Sequence, residues 1–495
     1  MDSDLRSIQQ ARDLATAARE AMRSFQFTEQ AAVDRICKAM VDAAMREAGR
    51  LGQMAHDETG FGYPNHKKLK NEFAAAGVWE SIKDTPTCGV LRRDEAKKVV
   101  EIGAPVGVIV ALSPSTNPTS TAIFKILIGV KARNAVIVAP HPSANTCTNE
   151  AVRVMAAAGE AAGMPKGLVS CMDELSIVGT NELMNHHATS LILATGGPGM
   201  VTAAHSVGKP AIGVGPGNVP AYVDRTADIA TAARMIVESK SFDCSTICAT
   251  EQCVIADAPI ADQLRSAMKA MGAHWLTPEE ADKLGSQMFR PNGMLNGSYA
   301  GRTPQQVSKL AGISVPDSAR ILVADLAGVG PKFPLSREKL TPVLGFMVAD
   351  GWHAGCEKAV ELLKFGGDGH SVVIHSRDEE AILAFGIQKP AFRILVNTWG
   401  SLGGVGATTG IKPSMTLAPG GMGGAVISDN VSVEHVLNIK RIAYHLHDAP
   451  AVAQAWKGGP SAASAFSAPG HLPQRSSDAE MIERVVHLVL KEMGR

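Results

Sequence analysis

From about residue 99 onward, short apolar runs rich in β-branched residues alternate with longer segments of helical period, and few folds accommodate that rhythm. The runs lie at 106–112, 135–138, 190–194, 221–223, 252–255, 319–323, 371–374 and 394–397, and several end at Gly, Pro, Ser or Asn. Strands separated by helices belong to a parallel α/β architecture. Before Lys98 the pattern is helical, with Ile36, Met40, Ala43 and Ala44 repeating at three and four residues. Low aromatic content, 4%, beside abundant Ala, Gly and Val suits helices packed tightly on sheets. At 495 residues the chain is too long for one small core, so two or three lobes are expected.

Charge and cysteine usage exclude several classes. Lys plus Arg and Asp plus Glu each number 48, so nothing in the net charge steers the chain toward nucleic acid or an anionic membrane. The first residues, MDSDLRSIQQARDLATAAREAM, are polar with apolar positions at helical spacing and lack a signal-peptide core. No stretch is long and apolar enough to span a bilayer. Eight cysteines at irregular intervals do not form a secreted disulfide framework, and a reducing cytoplasm is the expected home.

The sharpest local feature is SFDCSTICATEQCVIAD, residues 241–257, in which Cys248 sits in a small, turn-compatible stretch directly before a strand. An accessible cysteine there suits a nucleophile, which needs a stabilised thiolate; taken alone, it also reads as a small buried hydrophobe. The spacing of Cys244, Cys248 and Cys253 matches no common zinc pattern and no nearby histidine completes a set, so no metal is expected. In IVALSPSTNPTSTAIFK, residues 109–125, Asn117 can reach a cleft at a strand's carboxyl end and hold an oxyanion, or it simply starts a helix with Pro118 in first position. LILATGGPGMV, residues 191–201, follows a strand and opens a helix. Thr195, Gly196, Gly197 and Gly199 then stand where a pyrophosphate approaches backbone amides, although Gly-rich turns are mostly just turns. GVGPGN, residues 213–218, precedes an apolar run instead of opening a helix and is a poor dinucleotide fingerprint.

In order along residues 1 to 450, these segments together resemble the aldehyde dehydrogenase superfamily, and its coenzyme A-acylating branch in particular. SPSTNPT (113–119) is similar to the loop that carries the oxyanion-hole asparagine, here Asn117. SFDCSTICATEQ is similar to the acylating nucleophile segment, with Cys248 at the reactive position. REKLTPVLG (337–345) resembles the segment whose glutamate, here Glu338, holds the nicotinamide ribose hydroxyls. GGDGHS (366–371), RILVNT (393–398) and SMTLAPGGMGG (414–424) are similar to further stretches of the acylating enzymes. The resemblance implies a Rossmann-type cofactor domain with oligomerisation strands over 1–237, an α/β catalytic domain over 238–420, and a return to the cofactor and oligomerisation region over 421–457. It also makes His370 an acid/base or coenzyme A-contacting residue, or a structural one. Thr119, Thr246, Ile247 and Ala249 are expected to line the aldehyde pocket because they adjoin the catalytic positions.

One departure within the superfamily bears on the acyl acceptor. Hydrolytic members carry a glutamate just before the paired glycines of the segment matching AIGVGPGN, where it activates water. Here that place is Gly213 or its neighbour, with no carboxylate between Lys209 and Asn218. A coenzyme A thiol needs far less help than water, so the acyl-enzyme is left for thiol attack. The implied reaction converts a short-chain aldehyde, NAD+ and coenzyme A reversibly into acyl-coenzyme A through a Cys248 thiohemiacetal and thioester. Alternatives are a hydrolytic enzyme giving free acid, an acylating enzyme specific for sulfoacetaldehyde, and a silent scaffold; the presence of Cys248, Asn117 and Glu338 together speaks against the last. NAD is favoured on resemblance alone. At the adenosine ribose the chain has APHPSAN, with Pro140 and His141 in place of a usual lysine and glutamate, so NADP stays open.

Residues 458–475 are small, Pro-rich and nearly uncharged, as in a flexible linker. Beyond them, 476–495 carry Met481, Val485, Val489 and Met493 on one stripe and charges opposite. Such a tethered amphipathic helix docks on its own assembly, or serves as the encapsulation peptide that it resembles. In the second case the partners are shell or cargo proteins and the location is the lumen of a bacterial microcompartment. The resemblance further implies a homodimer or homotetramer.

Overall fold

The computed structural model describes residues 2–457, so the expected linker and terminal helix lie outside the described residues. The fold is α/β, with two parallel sheets and one small antiparallel sheet.

The first sheet has five parallel strands in the spatial order Val169–Cys171, Ala135–Pro140, Val108–Ser113, Thr189–Thr195, Ala211–Val214. Chain order reverses between Val108–Ser113 and Thr189–Thr195, and the carboxyl ends of such a pair open a crevice. Every residue of Val108–Ser113 and Ala135–Pro140 is buried, as strands covered by helices on both faces require. One cover is the helix Gln30–Thr59, whose Ile36, Met40, Ala43 and Ala44 are all buried. Another is Ser3–Phe25, whose Ala11, Ala15 and Ala18 bring that helix close to the core.

The second sheet has seven parallel strands in the order Ala273–Trp275, Ile321–Asp325, Val343–Ala349, Glu251–Asp257, Val219–Val223, Gly369–His375, Ala391–Val396. All eight apolar runs therefore fall on strands of the two parallel sheets. Four strands escaped that pattern. Three of them have only three or four residues, and Val343–Ala349 contains Gly345 and Met347, which dilute the β-branched signature. The third sheet joins Gly89–Asp94, Val99–Pro105 and Leu437–Ala443 antiparallel, and six of the seven residues in Leu437–Ala443 are exposed.

The change from first to second sheet falls between Val214 and Val219, earlier than the expected boundary at 237, which lies inside the helix Ile229–Ser241. Val219–Val223 pairs with Glu251–Asp257 and Gly369–His375, and a strand belongs to the sheet that satisfies its backbone. The return is likewise earlier than 421, since Met415 and Ala418 already pack into the core of the first sheet. Among the described residues no helix is long and apolar enough to cross a membrane.

Candidate active site

Two unlike edges face one another across the site. Asn117 and the Thr195–Gly199 turn follow the carboxyl ends of first-sheet strands. Cys248, Glu338, His370 and Gly217 instead sit before or at the amino ends of second-sheet strands. Gly217 joins the two arrangements. A Cβ there would lie 2.0 Å from the Cys248 carbonyl oxygen and 3.2 Å from His370 Nδ1, so only glycine lets this backbone pass the nucleophile loop. GVGPGN is thus a close-approach turn beside the cysteine, a role no local pattern announces.

Cys248 is half-buried, with its sulfur 3.2 Å from His370 Nε2. His370 Nδ1 lies 3.0 Å from Ser371 Oγ, which also accepts a hydrogen bond from Arg393 Nε at 3.1 Å. The Nδ1–H tautomer can donate to that same serine oxygen and leaves Nε2 free to accept the thiol proton. Burial, and after it the charge of Glu338, pushes the Cys248 thiol up to about 12, while Arg393 opposes the rise. Burial and then Arg393 hold the His370 imidazole well below its usual range, so it is neutral at physiological pH. A protonated thiol beside a neutral imidazole is the resting state of an assisted nucleophile. Burial pushes Glu338 up to about 7 against its hydrogen bond from Gly217 N, 2.7 Å long.

Pro118 is the first residue of the helix Pro118–Lys131, but Asn117 does not cap it with its side chain. Its Oδ1 accepts from Lys70 Nζ, and its Nδ2 donates to the Thr246 carbonyl at 2.9 Å, on the nucleophile loop. The second N–H makes only a 3.3 Å contact with Thr116 Oγ1. The amide therefore reaches the nucleophile loop, while the backbone of Asn117 leads into the helix. The expected pocket residues divide. Ile247 and Ala249 join an apolar cluster with Phe242, Val405 and Leu417, against which Cys248 packs. Thr119 and Thr246 are tied by hydrogen bonds: Thr119 donates to Asn71 Oδ1 at 2.7 Å and Thr246 to Asp243 Oδ2 at 2.8 Å, as buried hydroxyls require.

The Gly-rich turn fits a pyrophosphate. It opens the helix Pro198–Ser206, Gly197 caps it without a side chain, and nothing lies within 4 Å of where Gly197 or Gly199 would carry a Cβ. Gly196 is closed on one side by Met200. Thr195 Oγ1 reaches Thr416 Oγ1 at 3.3 Å, on the segment that returns to the first sheet. Pro140 ends its strand, and His141 Nδ1 accepts from Ser143 N at 3.2 Å, which engages the ring in a local turn. A Cβ at Gly213 would meet His205 Nε2 at 2.5 Å and Val201 Cγ1 at 2.6 Å. A side chain there would require Val201 and His205, on the helix Pro198–Ser206, to turn aside. Among the described residues no three His, Cys, Asp or Glu side chains gather to hold a metal.

Lys67, Lys70 and Asp243 complete the site from behind, and Arg393 from the side, without a chemical motif of their own. Asp243 and Arg393 lie in the segments SFDCSTICATEQ and RILVNT, but the two lysines sit on a polar helix whose sequence carries no signal of burial.

Residues 3–286 match the model of the aldehyde dehydrogenase family. The bifunctional aldehyde-alcohol dehydrogenase AdhE of Escherichia coli K12 is 40% identical over 435 residues, covering 87% of this chain and 49% of that protein, so the chain spans about half the length of that relative. The crystal structure of an acetylating aldehyde dehydrogenase from Geobacillus thermoglucosidasius is similar with a TM-score of 0.89 and 49% identity, over 91% of this chain and 99% of that one. A propionaldehyde dehydrogenase from the fucose utilisation microcompartment of Clostridium phytofermentans gives 0.79 and 29%, over 87% and 96%. With a cysteine, an imidazole and an amide converging across two sheet edges, and with these likenesses, the chain belongs to the aldehyde dehydrogenase family.

Proposed function

We propose that the chain oxidises a short-chain aldehyde to an acyl-coenzyme A, with NAD as hydride acceptor, through a covalent Cys248 thioester. The observation that carries this is the Cys248–His370 contact of 3.2 Å in a chain with no carboxylate between Lys209 and Asn218 to activate water. His370 Nε2 takes the thiol proton as Cys248 Sγ adds to the aldehyde carbon. The resulting oxyanion is held by the Asn117 amide and by a backbone N–H near Cys248. A nicotinamide cofactor would supply the hydride acceptor when bound; the Gly196–Gly199 turn would hold its pyrophosphate and Glu338 its ribose. Collapse of the thiohemiacetal leaves the thioester on Cys248. His370, neutral again after giving its proton to solvent, accepts the proton of the coenzyme A thiol as that sulfur displaces Cys248. The acetylating relative from G. thermoglucosidasius supports the same acceptor here.

A second reading is favoured by Glu338, whose carboxyl is pushed by burial up to about 7 and whose charge is felt at Cys248. It could activate water and give free acid. One assay separates the two: cofactor reduction with propionaldehyde, with and without coenzyme A, in the wild type and Cys248→Ala. Sustained turnover that needs coenzyme A and disappears in the variant is expected. Sustained turnover without coenzyme A, yielding acid, would overturn the acylating reading. The residues at 476–495 are proposed to direct the enzyme to a microcompartment lumen by docking on shell or cargo proteins, supported by their apolar stripe and the C. phytofermentans likeness. The exposed strand Leu437–Ala443 supports assembly into a dimer or tetramer.

A further inference from the structure

A buried ionic cluster stands behind the oxyanion amide. Lys67 and Lys70, three apart on the helix Pro64–Glu72, share one face and are 2% and 3% exposed, and Asp243 is 0% exposed. Asp243, Cys244 and Ser245 follow one another in the left-handed region, at φ 45°, 51° and 62°, which side chains other than glycine rarely adopt. The Asp243 carboxylate pins this turn. It accepts from Tyr63 N at 2.8 Å, from Thr246 Oγ1 at 2.8 Å, from Lys67 Nζ at 3.3 Å, and from Lys70 Nζ. Lys67 also donates to the Thr116 carbonyl at 3.2 Å, directly before Asn117.

Lys70 is the part of the cluster that reaches the chemistry. Its ammonium has three N–H groups, and they meet Asn117 Oδ1, Asp243 Oδ2 and, at 3.2 Å, Thr246 Oγ1. A primary amide has an accepting and a donating end of nearly equal shape, so packing alone does not decide which faces the cleft. An ammonium only donates. We propose that Lys70 is a positioning residue of the oxyanion site: together with the Thr246 carbonyl, it fixes Asn117 with Oδ1 on the ammonium and Nδ2 toward the nucleophile loop. The Asp243 turn is also held by Tyr63 N, Thr246 Oγ1 and Lys67, so it does not depend on Lys70 alone. Its charge on Oδ1 also draws electron density from the amide N–H groups and makes them stronger donors. The inference rests on the oxyanion role given to Asn117 above and is independent of whether coenzyme A or water takes the acyl group.

The test uses the full chain and two rates. One is cofactor reduction in the first turnover without coenzyme A, measured with an aldehyde that the wild type oxidises. The other is alkylation of Cys248 by iodoacetamide, which forms no oxyanion. Lys70→Met is expected to slow first-turnover reduction by about 10- to 100-fold, somewhat less than loss of an oxyanion donor itself, while alkylation stays within about twofold. In an Asn117→Ala background the same change should slow reduction by no more than about threefold, because the amide it orients is gone. Lys70→Arg, which keeps donors only, should recover most of the lost rate. Lys70→Gln, a neutral amide of similar length, is measured in the same assays so that the outcome does not depend on one variant folding. Reduction unchanged in Lys70→Met and Lys70→Gln, alkylation slowed in parallel, or effects that multiply fully with Asn117→Ala would each overturn the proposal.

Discussion

Replacing His370 with alanine should slow Cys248 far more at neutral than at alkaline pH. With the thiol pushed up to about 12 by burial and then by Glu338, the unaided thiolate fraction at pH 7.5 is on the order of 10⁻⁴ to 10⁻⁵. A neutral imidazole 3.2 Å from the sulfur removes that handicap by taking the proton during attack. General-base assistance of this kind is worth about 10²- to 10⁴-fold. The assay is pseudo-first-order alkylation by iodoacetamide, with Cys248→Ala as the blank, from about pH 6.5 to about pH 10. His370→Ala should be slower at pH 7.5 by about 10²-fold or more, and its log rate should climb with nearly unit slope as hydroxide replaces the missing base. The wild type should rise less steeply, so the two curves converge toward alkaline pH. The smaller side chain also admits water to the sulfur, which lowers the thiol and works against the loss, so the measured factor is a lower bound. Coincident curves in the two proteins would refute His370 as the proton acceptor.

Two further changes probe the rest of the site. Glu338→Gln removes a charge that opposes the thiolate, so the alkylation profile should move to lower pH. The gain should be greatest above about pH 7, where the wild-type carboxyl is ionised, and an unmoved profile would show that Glu338 does not act on the sulfur. The same variant should raise the KM for the nicotinamide cofactor. Gly197→Asp places a carboxylate at the cap of the helix Pro198–Ser206, where aspartate favours the helix but repels a pyrophosphate. The cofactor KM should rise by about tenfold or more with Cys248 alkylation unchanged, and an unchanged KM would remove the turn from the cofactor site.

Much of the architecture was legible because its signals are local. A run of β-branched residues buried on two faces reads the same wherever its sheet stands, and all eight runs found strands. Cys248 stood out for the same reason: small residues before a strand make a reachable turn. Asn117 could be read locally as two things; Pro118 does start the helix, and where the amide turns, to Lys70 and Thr246, depended on segments far away in the chain. For Thr119 and Thr246, adjacency in sequence could not give the hydroxyl partners Asn71 and Asp243, which come from distant segments or from the fold of the loop.

What the sequence determined by itself was the α/β alternation, eight of the twelve strands of the parallel sheets, and the family pattern. Tertiary structure decided the pairing of the carboxyl edge of one sheet with the amino edge of another, which brings His370 across 122 positions to Cys248. It also decided the sheet to which Val219–Val223 belongs, and the burial of Lys67 and Lys70 against an aspartate more than 170 positions away. The physical reason is range. Propensity and periodicity act over a few residues, whereas a buried charge or an imidazole acquires its role only from groups that folding brings within hydrogen-bond distance.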